Sequence, residues 1–251
     1  MAPVRPSAAL QAAYQARLDR LIAAMNRDTQ RQVSATYRAN PPEMVQDESS
    51  AAALRRLMAG LGRKWEARFN EFAQTWGRKF TRDAAGATDR TFAANARKAG
   101  LTVRFQMTRA MNDVMQATIG EQVSLIRSIP EEYLKDVEGS VMRSVQIGRD
   151  IGGLAAELEK NYGITRRRAE TIARDQNNKA TASMTRVRQQ EIGITHAVWL
   201  HSAGGKQPRP SHVAFSGKQY EIAKGAFLDG VWTWPGVEIN CRCVPKSVLP
   251  W

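Results

Sequence analysis

SIPEEYLKDVEGSVMRSVQIGRDIGGLAAELEKNYGITRRRAETIARDQNNKATASMTRVRQQ, residues 128–190, decides the fold class. Ser128, Ile129, Pro130, Glu131 and Glu132 have the form of a helix start: proline at the first helical position needs no amide partner, and two carboxylates face the positive end of the helix dipole. The spacing predicts a helix from there to about Ile147. Gly148, Arg149 and Asp150 then separate it from a short helix carrying Ile151, Leu154, Ala155 and Leu158, closed by Asn161, Tyr162 and Gly163. A third helix opens on Thr165, Arg166, Arg167 and Arg168 and continues to about Gln190, with Ala169, Ile172, Ala173, Ala180, Met184 and Val187 on one face.

Helical spacing also governs the region upstream. Leu10, Tyr14, Leu18, Leu21, Ile22 and Met25 recur at three- and four-residue steps, which gives an amphipathic helix from Ala8 to about Arg38. Asn40, Pro41 and Pro42 stop it, because proline lacks the amide donor and pushes its predecessor out of helical dihedrals. After a polar link to Ser50, Leu54, Leu57, Met58, Leu61, Trp65, Phe69, Phe72 and Trp76 form a second stripe, placing a helix over about Ala51 to Phe80. Its aromatic residues read as core packing rather than as a base-stacking platform. Small residues dominate from Asp83 to Gly100, and another helical pattern covers Leu101 to Ser128.

The period changes after Gly193. Thr195 to Leu200 alternates and contains Val198 and Trp199, the pattern of a short strand; further strands are expected near Gln219 to Ile222 and Arg242 to Val248, with Trp232, Trp234 and Pro235 in a loop between them. The fold class expected is therefore mainly α: long amphipathic helices in an N-terminal region, residues 1–127, followed by a second domain, residues 128–251. That domain comprises helices over 128–192 and a small α+β tail with a short antiparallel sheet over 193–251.

Composition narrows the function. The 251 residues carry a net charge of +13, with 20 basic and 11 acidic side chains in residues 1–128, 4 and 7 in 129–162, and 13 and 6 in 163–251. Such an excess attracts polyanions, and arginine, which outnumbers lysine 27 to 10, offers a planar donor fork suited to phosphate. Arg166, Arg167, Arg168, Arg174, Lys179, Arg186 and Arg188 are the candidate contacts to DNA phosphates, since clustered basic side chains carry non-specific binding by releasing counterions. No apolar run approaches the roughly 20 residues of a membrane span, and the start carries no apolar signal core. The two cysteines, Cys241 and Cys243, sit too close together for an ordinary disulfide, which fits a reducing compartment.

Four strings then occur in order: Ser128 to Arg174; ITHAVWLHSAGG, Ile194 to Gly205; RPSHVAFSGKQY, Arg209 to Tyr220; and INCRCVPKSVLP, Ile239 to Pro250. Together they resemble the phage Mu F-like head morphogenesis proteins, the minor capsid proteins of tailed phages. The family-motif positions are Trp199, Arg209, Pro210, His212, Gly217, Asn240, Cys241, Arg242 and Cys243. The resemblance implies a component present in a few copies inside the capsid, added in the host cytoplasm during prohead assembly. It also implies contact with the portal protein and the major capsid or scaffolding protein, and a part in packaging or delivering double-stranded DNA. A transient scaffolding protein is the alternative; a toxin-like or nuclease enzyme would be expected to carry a catalytic module beyond the last string, and the chain ends at Trp251.

The sequence departs from its relatives in several places. Arg174, Asp175 and Gln176 stand where many relatives have Arg-Thr-Glu, and Arg209 to His212 stands where others have Cys-x-x-Cys. Those relatives look able to bind zinc through two cysteine pairs. Here a zinc site would need His201 and His212 to converge on Cys241 and Cys243; the expectation adopted is no metal and no cofactor, with both cysteines on one face of a strand as small packing groups. Catalysis is not expected either. There is no phosphate-binding Gly-x-x-x-x-Gly-Lys-Ser/Thr loop, acids near the three histidines are sparse, Gly204 and Gly205 replace an aspartate common in relatives, and adjacency of Ser211 and His212 gives no triad geometry. His212 and Asn240 are expected to bind backbone and fix turns.

Overall fold

The computed structural model describes residues 1–39, 50–147, 151–204 and 207–249. Its elements are α1 (Ala8–Ala39), α2 (Ser50–Phe72), a π-helical turn (Ala73–Gly77), α3 (Arg78–Lys98), α4 (Arg109–Gln146), α5 (Ile151–Glu191), β1 (His196–Leu200), α6 (Pro210–Ala214), β2 (Gln219–Glu221), β3 (Ala226–Leu228), β4 (Val231–Thr233) and β5 (Val244–Val248). The chain is mainly α with a small C-terminal antiparallel portion, as the sequence pattern predicts. No helix among the described residues is long and apolar enough to cross a membrane.

Helices are longer than the sequence suggests, because buried faces override local stop signals. Pro130 lies inside α4 and not at a helix start. Ile126, Ile129, Tyr133, Val137 and Val141 are all buried and follow one another at three- and four-residue steps straight through the proline, and burial at about 25 cal/mol per Å² outweighs the roughly 3 kcal/mol that an interior proline costs. The same holds at Gly163. α5 continues through it, with Leu158, Thr165 and Ala169 buried and the Thr165 hydroxyl donating to the Asn161 carbonyl at 2.9 Å. The stretch from Asp83, where small residues dominate and no element is assigned from the sequence, lies within a helix over residues 78–98, because Phe80, Ala84, Ala85, Thr88, Phe92 and Ala96 make one buried stripe. α3 ends at Gly100, whose φ of +85° favours glycine; its N–H reaches the Arg97 carbonyl and that of Leu101 the Ala96 carbonyl. α4 then starts at Arg109, eight residues later than the pattern suggests, where the Thr108 hydroxyl accepts the Met111 N–H at 3.2 Å. The stops expected at Pro41 and Pro42 and the turn at Gly148 to Asp150 lie outside the described residues.

Two compact units interleave along the chain, so a boundary at residue 127 or 128 falls within α4. One unit comprises Ala13–Gly77 and Gln122–Glu170, the other Met1–Ala12, Arg78–Glu121 and Thr171–Trp251. The first is a helix bundle whose α1 face buries Tyr14, Leu18, Ile22, Met25, Val33 and Tyr37. Trp65 and Phe69 of α2 are fully buried in it, which confirms the core reading of the aromatic stripe. Asp28 organises its polar interior: Lys64 Nζ lies 2.6 Å and Trp65 Nε1 3.0 Å from Oδ2, while Gln32 and Arg31 donate to Oδ1.

The second unit has an aliphatic layer of Ala84, Ala85, Met111, Met115, Ala180, Met184 and Val187 from three helices. Its β portion is a three-stranded antiparallel sheet in the order β2-β1-β5, with Trp199 opposite Pro245, and a separate β3–β4 hairpin. That hairpin was not expected, and Trp232 lies in β4 rather than in a loop. Asp229 and Gly230 at its tip both have positive φ, 51° and 83°, the geometry of a primed two-residue turn. A second cluster centred on Trp199 joins Phe92, Ala197, Tyr220, Ile222, Leu228, Cys241 and Cys243.

α5 holds the C-terminal segment of this unit through a row of polar side chains. Both Asp175 carboxylate oxygens accept the Asn240 N–H at 3.1 Å, Asn178 Nδ2 donates to the Cys241 carbonyl at 3.0 Å, and Gln189 Nε2 donates to Ser247 Oγ at 2.9 Å. Asn240 itself adopts φ of +61°.

Two measurements test these arrangements. Burial pushes the Asp28 carboxyl up, but hydrogen bonds from Lys64, Gln32 and Trp65 with the Lys64 charge outweigh it and bring its pKa from 3.8 down to about 2. A depressed carboxyl contributes stability above its unfolded pKa and loses it as pH falls through the folded one. Asp28→Asn should therefore cost about 1–2 kcal/mol at neutral pH, read as a lower thermal midpoint, and the gap to wild type should close between about pH 4 and pH 2. At Asn240, Val should lower the thermal midpoint by the equivalent of about 2 kcal/mol more than Gly, because a β-branched side chain resists positive φ while both variants lose the same side-chain contact.

Candidate functional site

Three separated pieces of chain build one cleft of about 250 Å³, lined by His201, Arg209, His212, Asn240, Cys241 and Cys243 among others. His201 follows β1. Pro210 starts α6 and so brings His212 inward, 2% exposed, against the Trp199 ring at 5.0 Å, edge to face. Cys241 and Cys243 lie in the loop before β5, not within a strand, and both are buried. The family-motif residues thus come together. Around them, Gly217 N–H donates to the Trp199 carbonyl at 2.8 Å, Arg209 Nη2 to the Ile239 carbonyl at 3.1 Å, and Arg242 Nη1 to the Gly204 carbonyl. These arginines fasten loops at the wall of the cleft.

Within the cleft, His212 Nδ1 lies 3.5 Å from Cys241 Sγ and 3.8 Å from Cys243 Sγ, and His201 Nδ1 lies 3.6 Å from Cys243 Sγ. Ligand atoms of His212, Cys241 and Cys243 all fall within 4.8 Å of one another. The Gly236 N–H points at Cys241 Sγ from 3.3 Å. A hydrogen bond from the Cys243 thiol, helped by backbone N–H groups and the His212 charge against the effect of burial, brings the Cys241 pKa down to about 5; that hydrogen bond and burial push Cys243 up. His212 faces sulfur rather than backbone. Asn240 also differs from expectation: its N–H is held by Asp175, and its side-chain oxygen accepts from Arg174 at 3.0 Å.

Sequence reading passed over Glu238. Its Oε1 stands 3.6 Å from His212 Nε2 and its Oε2 3.3 Å from Arg209 Nε. The signal available was an acid three residues before Cys241. Asp229, which accepts the Ser211 hydroxyl at 2.7 Å, was likewise passed over. Ser211 is thereby engaged with the hairpin tip, away from His212 chemistry.

The basic residues proposed for DNA divide between the two units. Arg166 and Arg167 are exposed on α5, Arg166 with Asp19 at 4.0 Å. Arg168 pairs with Glu132 at 2.8 Å and Lys179 with Glu121 at 2.6 Å, and the Arg186 guanidinium stacks over Trp234 at 4.3 Å. Arg188 is a correction. It is 2% exposed, with Asp89 on Nε and Nη2 and Glu191 on Nη1, all at 2.7–2.8 Å, so its charge is spent inside the unit and reaches no phosphate.

An uncharacterized protein of Haemophilus influenzae (strain ATCC 51907 / DSM 11121 / KW20 / Rd) is 34% identical over 140 residues, a match covering 55% of this chain and 30% of that protein, so the chain spans under a third of its relative's length. No solved structure matches. Residues 135–245 match the family described as Phage Mu protein F like protein, a range that takes in about the last third of α4, α5, β1 to β4, the start of β5 and every ligand-type residue of the cleft. Over residues 135–245 the chain is therefore similar to the phage Mu F-like family.

Proposed function

We propose that the chain is a non-catalytic minor head protein of a tailed phage, acting in prohead assembly and in the packaging or delivery of DNA. The family match over residues 135–245 carries this reading. A net charge of +13 supports a place beside DNA inside the head, and on the family likeness alone we place it close to the portal protein and to the major capsid or scaffolding protein. DNA contact is non-specific and centres on Arg166 and Arg167, the exposed members of the basic set. Arg168, Arg174, Lys179 and Arg186 join it at the margin, each already engaged by a neighbouring side chain.

Counting this protein against portal and major capsid protein by mass spectrometry of purified proheads and DNA-filled heads tests the assignment. A few copies in both are expected; loss on filling would replace this reading with that of a transient scaffold. For DNA contact, affinity for a short duplex should fall at least tenfold between about 50 and 200 mM salt. Arg166→Glu with Arg167→Glu should weaken binding about tenfold further. Binding that ignores both salt and charge reversal would remove DNA from the function.

A further inference from the structure

We propose that His201, His212, Cys241 and Cys243 form a closed tetrahedral zinc site. The inference does not depend on the role in the head.

Distance is the first argument. With Zn–S near 2.3 Å and Zn–N near 2.05 Å, the sulfur-to-nitrogen edge of a tetrahedron is about 3.6 Å. The three observed sulfur-to-nitrogen separations are 3.5, 3.6 and 3.8 Å. Both sulfurs face the same ring nitrogen, His212 Nδ1, with their ligand atoms clustered about one point. A dication satisfies all four donor atoms at once, and two thiolates neutralise its charge inside a buried pocket.

The surroundings are those of a ligand cage. Metal-bound histidine usually gives its other ring N–H to a carboxylate, and His212 Nε2 faces Glu238 Oε1 at 3.6 Å. Both atoms are buried and neither has a hydrogen-bond partner within normal range, so a small rotation of the imidazole onto a metal would complete the pair. Glu238 is in turn braced by Arg209, and the Gly236 N–H is directed at Cys241 Sγ. His201, half-buried at the mouth of the cleft, lies within reach of Cys243 but outside the cluster of the other three, and would swing inward to supply the fourth donor. The site would tie the segment after β1, helix α6 and the loop before β5 into one knot, three short pieces with little apolar core of their own.

The test uses the untagged full chain, purified under reducing conditions without chelator. Elemental analysis should find about one zinc per chain, and replacement by Co(II) should give the visible bands of tetrahedral cobalt with thiolate charge transfer. His201→Ala should weaken zinc at least tenfold in competition with a chromogenic chelator and alter the cobalt bands, whereas His196→Ala should do neither. Less than a tenth of a zinc per chain together with no tetrahedral cobalt spectrum would overturn the site. An unchanged affinity and spectrum in His201→Ala would overturn the four-ligand assignment. Because wild type and His201→Ala decide the matter, a failure of Cys243→Ser to fold would not.

Discussion

The unit that carries the Mu F-like cleft depends on one polar row along α5. Asp175, Asn178 and Gln189 reach across to Asn240, Cys241 and Ser247, pinning an irregular stretch of backbone and the far end of an edge strand to a helix. Loop backbone of this kind has no ladder to join, and each buried amide or carbonyl left unmet costs about 1–3 kcal/mol. Side chains on a rigid helix meet that need at fixed positions. Everything in the cleft follows from it: Cys241 is placed by the Asn178 hydrogen bond to its carbonyl, Cys243 two residues on, and β5 directly after, in register with β1.

The same physics explains the fate of charge in this chain. Arg188 and Asp28 are both buried, and both are surrounded: Arg188 by two carboxylates and the Gln106 carbonyl, Asp28 by a lysine, an indole N–H and an amide. A buried charge without such partners would be too costly to keep. Basic composition therefore overstates the charge available to a polyanion. Part of the +13 is consumed in holding each unit together, while other basic side chains, Arg166 and Arg167 among them, lie exposed.

Helical content, the change of period after Gly193, the positions of β1, β2 and β5, and the core role of Trp65 and Phe69 were legible in the sequence, because each rests on the spacing of apolar residues, which is a local quantity. The Asp229-Gly230 hairpin was legible and overlooked. Helix ends were not legible at Pro130 and Gly163: local stop signals compete there with burial of a face whose partner is distant in sequence, and burial prevails.

For the site, the sequence by itself determined which residue types were present, the family they point to and the four candidate zinc donors. It did not determine that they meet. Convergence of His201, His212, Cys241 and Cys243, the backing of His212 by Glu238 and the withdrawal of Arg188 into an ion-pair cluster are all contacts between segments tens of residues apart. Periodicity reports which face a side chain occupies, and only the packing of helices and strands decides what that face meets.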